Sequence, residues 1–127
     1  MKNFFINLTL ILTVTFGIAA ISHAYCVKNK TDKQIIAYQN SGYLKKYNTL
    51  VAYTLNPNDK GCCSWREGKC NISRKKDTLL DFTVVYTIKK DNVLTPIIIC
   101  KYFKIKADGV LSVVGKNGKY RCLANEN

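Results

Sequence analysis

The residues of this chain best able to do chemistry are its six cysteines, three of which fall within GCCSWREGKC, residues 61–70. Thiols at that density can ligate a metal, cycle as a redox couple or staple the chain. Spacing separates these uses. A structural zinc site draws on closely spaced cysteine pairs and histidine, and a thioredoxin-type couple needs CxxC. The pattern here is CC-x6-C, with neither feature. An even count in a short exported chain reads as a disulfide framework. Cys26, Cys62, Cys63, Cys70, Cys100 and Cys122 are therefore read as staples, with no metal site and no cofactor.

Adjacent cysteines rarely bond to each other, because one trans peptide unit fits disulfide geometry badly. In an extended segment Cys62 and Cys63 also point to opposite sides. Each then needs its own partner. The expectation is that one closes the short loop to Cys70, the other reaches Cys26, and Cys100 joins Cys122. The stretch would be a covalent corner.

Export is read from the N-terminus, MKNFFINLTLILTVTFGIAAISHA. Lys2 is a short positive start, residues 4–20 are uncharged and mostly apolar, and Ser22-His23-Ala24 places small residues at the −3 and −1 positions of a cleavage site. This is the signal-peptide pattern. Residues 1–24 are assigned to the signal and residues 25–127 to a single mature domain, secreted or periplasmic, with no later segment long and apolar enough to span a membrane as a helix. The chain has one histidine, His23, and it leaves with the signal. A mature chain without histidine lacks Ser–His and Cys–His nucleophiles and HExxH zinc chemistry. A glycosidase needs two opposed carboxylates, and no pair stands out. Asp59, Asp91 and Asp108 sit in predicted turns, where aspartate has a structural reason to be. No catalytic residue is assigned, and the domain is read as non-enzymatic.

The elements that must carry these residues read as β. Leu80, Phe82, Val84, Tyr86 and Ile88 alternate with Asp81, Thr83, Val85, Thr87 and Lys89, a period of two that predicts a strand with one buried face. After a turn at Lys90-Asp91-Asn92, a second strand runs from Val93 to Lys106. On it Ile97, Ile99, Phe103 and Ile105 share one face and Ile98, Cys100 and Tyr102 the other, with Lys101 interrupting the apolar side. Asp108-Gly109 and Asn117-Gly118 are hairpin signals, so the strands from residue 79 onward are expected to form a meander. Residues 25–28, 33–39 and 50–55 are further strand candidates, and Asn56-Pro57-Asn58-Asp59 breaks the chain before the corner. The expected fold is all-β: a small disulfide-stapled antiparallel β-sandwich or barrel.

Charge carries the functional expectation. The chain has 20 Lys plus Arg against 8 Asp plus Glu, a formal net charge of +12, and loses only Lys2 with the signal. Basic residues cluster at Lys45-Lys46, Arg74-Lys75-Lys76, Lys89-Lys90 and Lys101/Lys104/Lys106. Tyr43 and Tyr47 flank the first cluster, and Trp65 is the single tryptophan, inside the stapled loop. Cations interleaved with rings suit polyanions, since charge holds phosphate or sulfate while the ring stacks on a base or sugar. Strand lysines also guard sheet edges, so the clusters on loops carry more weight. The anion-binding candidates are Arg74, Lys75, Lys76, Lys45, Lys46, Tyr43, Tyr47 and Trp65. The expected partner is an anionic polymer or surface (polysaccharide, lipid headgroup or nucleic acid). The alternative is a secreted toxin or inhibitor that meets an acidic protein through the loop 62–70. Asn29-Lys30-Thr31 and Asn71-Ile72-Ser73 are sequons that matter in a glycosylating host.

Overall fold

The computed structural model describes residues 24–40, 51–71 and 73–125. Residues 1–23 of the expected signal, residues 1–24, lie outside them. Eight strands occur in order: β1 Ala24–Thr31, β2 Ile35–Gln39, β3 Ala52–Leu55, β4 Lys60–Ser64, β5 Leu79–Lys90, β6 Val93–Lys106, β7 Val110–Lys116 and β8 Lys119–Asn125. They form two four-stranded sheets, β4-β1-β7-β8 and β3-β2-β5-β6. The described residues contain no helix long and apolar enough to cross a membrane. The all-β expectation holds. The expectation of a wholly antiparallel fold does not: β1 and β7 pair in parallel, from Cys26↔Val110 to Thr31↔Gly115.

Period-two alternation feeds one core from both sheets. Tyr25 and Val27 of β1 and Leu111 and Val113 of β7 meet Ile35 and Ala37 of β2 and Leu80, Phe82 and Val84 of β5. The Tyr25 and Phe82 rings meet edge to face with centroids 5.2 Å apart. Polar groups buried here are satisfied, as burial demands. Gln39 donates to the Cys70 carbonyl at 3.1 Å, and the Tyr53 hydroxyl donates to the Tyr25 hydroxyl at 3.3 Å. Burial, helped by the Tyr53 contact, drives the Tyr25 phenol well above its ordinary pKa.

The meander expectation is overturned. β5–β6 and β7–β8 are hairpins, but they lie in different sheets. Asp108-Gly109 is a crossing from one sheet to the other, where Gly109 donates to the Lys106 carbonyl at 2.8 Å and accepts from the Cys26 amide at 3.1 Å. An Asp-Gly pair specifies a reversal of the chain, not the strand that the next segment joins. Both edges of β7 are taken by β1 and β8. Asn117-Gly118 does close a hairpin: both residues have positive φ, 55° and 80°, the conformation that matches the twist of paired strands. Asp91 and Asn92, at 51° and 61°, do the same between β5 and β6.

β6 has 14 residues against 12 in β5, and two register shifts absorb the excess. Phe82 faces Phe103, Val84 faces Cys100, and Val85 faces Ile98. These are bulges, and they explain how Lys101 is accommodated. The first, around Lys101 and Tyr102 (φ 53°), leaves both side chains exposed. It also reverses the expected facing of Cys100, which aligns with inward Val84 and packs against the core.

The bridges are Cys26–Cys62, Cys63–Cys70 and Cys100–Cys122. They agree with the sequence expectation, which left open which of Cys62 and Cys63 joins Cys70; in the structure it is Cys63. Cys26 and Cys62 are directly opposed on β1 and β4. Cys63, on the other side of β4, joins Cys70, which is fully buried. The expected corner is thus half strand, because residues 60–64 pair with β1. Cys100–Cys122 ties β6 to β8 and so links the two sheets at one edge. At the opposite edge the Tyr53 ring of β3 lies on Gly61 of β4, where a Cβ would overlap the ring.

Candidate anion-binding site

The chain leaves the Cys63–Cys70 staple through a turn in which the Cys70 and Asn71 amides donate to the Glu67 carbonyl at 3.0 and 2.9 Å. Asn71 is buried, and its amide group donates to the Lys75 carbonyl at 2.8 Å while its oxygen accepts from the Ser73 hydroxyl at 3.1 Å. The Arg74 amide donates to the Asn71 carbonyl at 3.1 Å, with Arg74 at a positive φ of 53°. The Lys75 amide donates to the Ser73 hydroxyl at 3.2 Å, and Ser73 and Thr78 hydroxyls hydrogen-bond to each other. Thr78 then donates to Lys75 and accepts from the Ala107 amide at 2.8 Å, which fastens the loop to the end of β6. The backbone is thus held by its own short polar side chains. The three cations Arg74, Lys75 and Lys76 are left exposed.

This fastening builds a cleft of about 470 Å³ at one end of the two sheets. Lys76 lines it together with Lys104 and Lys106 of β6, and Asp77, Asp108 and Leu79 share the lining. Three ammonium groups against two carboxylates can hold an anion by charge and hydrogen bonding. Arg74 and Lys75 adjoin on the loop and extend the positive surface. Lys104 and Lys106 read in sequence as ordinary outward strand residues. What places them is the pairing of Leu79 with Lys106, which puts the end of β6 beside the start of β5 and depends on two register shifts that no short stretch of sequence signals.

The other candidates fall elsewhere. Tyr43, Lys45, Lys46 and Tyr47 lie outside the described residues. Trp65 is half-buried and packs against the core, with the Arg66 guanidinium 5.2 Å from its ring centroid. It thus serves the corner more than it offers a free contact face. The sulfurs of Cys63 and Cys70 come close to the Glu67 carboxylate. Both are committed to their disulfide, which leaves one carboxylate from that trio to meet a cation. Glu67 itself pairs with Lys69 at 3.3 Å.

No protein-family model, curated protein or solved structure matches this chain.

Proposed function

We propose that the mature chain is an exported, non-enzymatic binding domain for an anionic surface or polymer, held through the loop 73–76 and the adjoining cleft. The observation that carries the reading is the hydrogen-bonded backbone of residues 71 and 73–78, which leaves Arg74, Lys75 and Lys76 exposed and sets Lys76 beside Lys104 and Lys106. A pre-ordered basic loop loses little conformational entropy on binding. Export is supported by the N-terminal pattern and by three disulfides, which persist in oxidising compartments. The non-enzymatic half rests on the absence of histidine beyond residue 23 and of any catalytic motif.

Heparin, nucleic acid and anionic vesicles, each with a salt series, test this reading. Affinity should fall steeply with salt, because binding releases condensed counterions. Replacing Arg74, Lys75 and Lys76 together by Ser should flatten the slope of log K against log salt by about 2–3. Replacing Lys116 and Lys119 on the β7–β8 hairpin should do less per charge removed. Equal losses per charge would mean diffuse attraction without a site at 74–76. A protein that ignores every polyanion at ~50 mM salt would refute the reading and favour a toxin or inhibitor acting through the loop 62–70.

A further inference from the structure

Sheet β3-β2-β5-β6 has one face on the core and another turned away from it. Register lays out that outer face. Thr54, Ile36, Val85 and Ile98 form one row across all four strands. A second row runs Ala52, Tyr38 and Thr83, and the Tyr102 amide, 3.4 Å from the Thr83 hydroxyl, extends it to β6. Beyond the end of β2, whose pairing with β5 stops at Ile36↔Val85, the same face continues through Thr87↔Pro96 and Lys89↔Leu94. Leu94, Ile98 and Tyr102 therefore string along β6, and they are 67%, 56% and 58% exposed. Solvent-exposed aliphatic and aromatic groups gathered this way mark an interaction surface.

The cations on this face are as ordered as the apolar groups. Lys89 is opposite Leu94, Lys104 opposite Asp81, and Lys106 opposite Leu79. Lys101 holds its ammonium 5.2 Å from the Tyr102 ring centroid. Four lysines meet one carboxylate, so the complement is anionic. Two such faces would repel each other, which argues against a second copy of this chain. A polynucleotide would leave Leu94, Pro96 and Ile98 without a stacking partner. An anionic bilayer takes both classes at once: aliphatic and ring groups at the boundary between headgroups and acyl chains, and lysines at the phosphates.

We propose that the outer face of this sheet, along β6, docks on an anionic lipid bilayer. Leu94, Ile98 and Tyr102 enter the interfacial layer, while Lys89, Lys101 and Lys104 meet lipid phosphates. This rests on the anionic-partner function proposed above and names its source as lipid.

The test is co-sedimentation with vesicles of phosphatidylcholine mixed with phosphatidylglycerol, against vesicles of phosphatidylcholine alone, with heparin retention in parallel. The protein should bind the anionic vesicles more strongly. Leu94→Ser with Ile98→Ser should weaken that binding roughly tenfold or more and leave heparin retention unchanged. Both proteins carry the same N-terminus, so the apolar segment 4–20 contributes equally. Unchanged vesicle binding in the double variant overturns the proposal. Retention on heparin without vesicle binding overturns the lipid assignment and leaves the polyanion reading standing. Loss of both in the unsubstituted protein refutes both. If the double variant fails to fold, Trp65→Phe with Tyr102→Trp gives an independent readout. Quenching of that tryptophan by brominated acyl chains is expected, and full quenching by aqueous iodide in the presence of anionic vesicles overturns the docking.

Discussion

The Tyr120 hydroxyl donates to the Asp32 carboxylate at 2.6 Å across 88 residues of chain. The other carboxylate oxygen accepts the Asn117 amide at 3.1 Å, so the turn after β1 is tied to the β7–β8 hairpin. Tyr120 also meets Tyr86 of β5 edge to face, with ring centroids 5.0 Å apart. One carboxylate thereby fixes the ring that reaches from one sheet to the other. The hydroxyl and the amide hold the Asp32 carboxyl below its usual range, and the same hydrogen bond holds the Tyr120 phenol above its own.

The sign of the pH dependence follows. Asp32 is depressed in the fold, so its contribution is present above the unfolded value and is lost as pH falls through the folded one. Tyr120 is raised, so its contribution is intact below its unfolded value and is lost as pH rises through the folded one. Thermal unfolding across pH should show Asp32→Asn losing part of the acid limb seen in the unsubstituted protein. Identical acid limbs would mean the contact contributes nothing measurable.

Neither sequon should carry a glycan in folded protein. Asn29 is buried, and its amide group donates to the Lys33 and Leu55 carbonyls at 2.7 and 3.0 Å, while its oxygen accepts the Thr31 amide at 3.0 Å. Both amide hydrogens that a sugar would compete with are already used. Asn71 is committed similarly to Lys75 and Ser73. Mass spectrometry of material folded in a glycosylating host should find both asparagines bare. Asn29→Ala should cost about 2–4 kcal/mol, since it leaves buried backbone groups unpaired.

Non-reducing peptide maps should recover Cys26–Cys62, Cys63–Cys70 and Cys100–Cys122, with no free thiol. Replacing Cys100 and Cys122 together by Ala should lower stability by about 2–4 kcal/mol. Fluorescence-monitored denaturation measures this. A loss below that range would mean that hairpin pairing and core packing alone keep β6 against β8.

Gly61→Ala should destabilise by about 1–3 kcal/mol, because the added methyl must displace the Tyr53 ring. That ring carries the hydroxyl that donates to Tyr25. A neutral result would show that the edge between β3 and β4 yields freely.

What the sequence determined by itself is local. The alternation from Leu80 to Ile88 marks a strand with an inward face, Asn117-Gly118 marks a two-residue turn, and the adjacency of Cys62 and Cys63 forces separate partners. Each depends on residues a few positions apart, and so on backbone geometry that neighbours impose. Which strand lies beside which is not written locally. The parallel pairing of β1 with β7, the sheet change at Asp108-Gly109, the bulges that turn Cys100 inward and Lys101 out, and the approach of Lys76 to Lys104 and Lys106 were decided by tertiary structure. Each depends on which distant surfaces bury the most apolar area and which strand edges are already occupied. Those free energies belong to the assembled chain and to no short window of it.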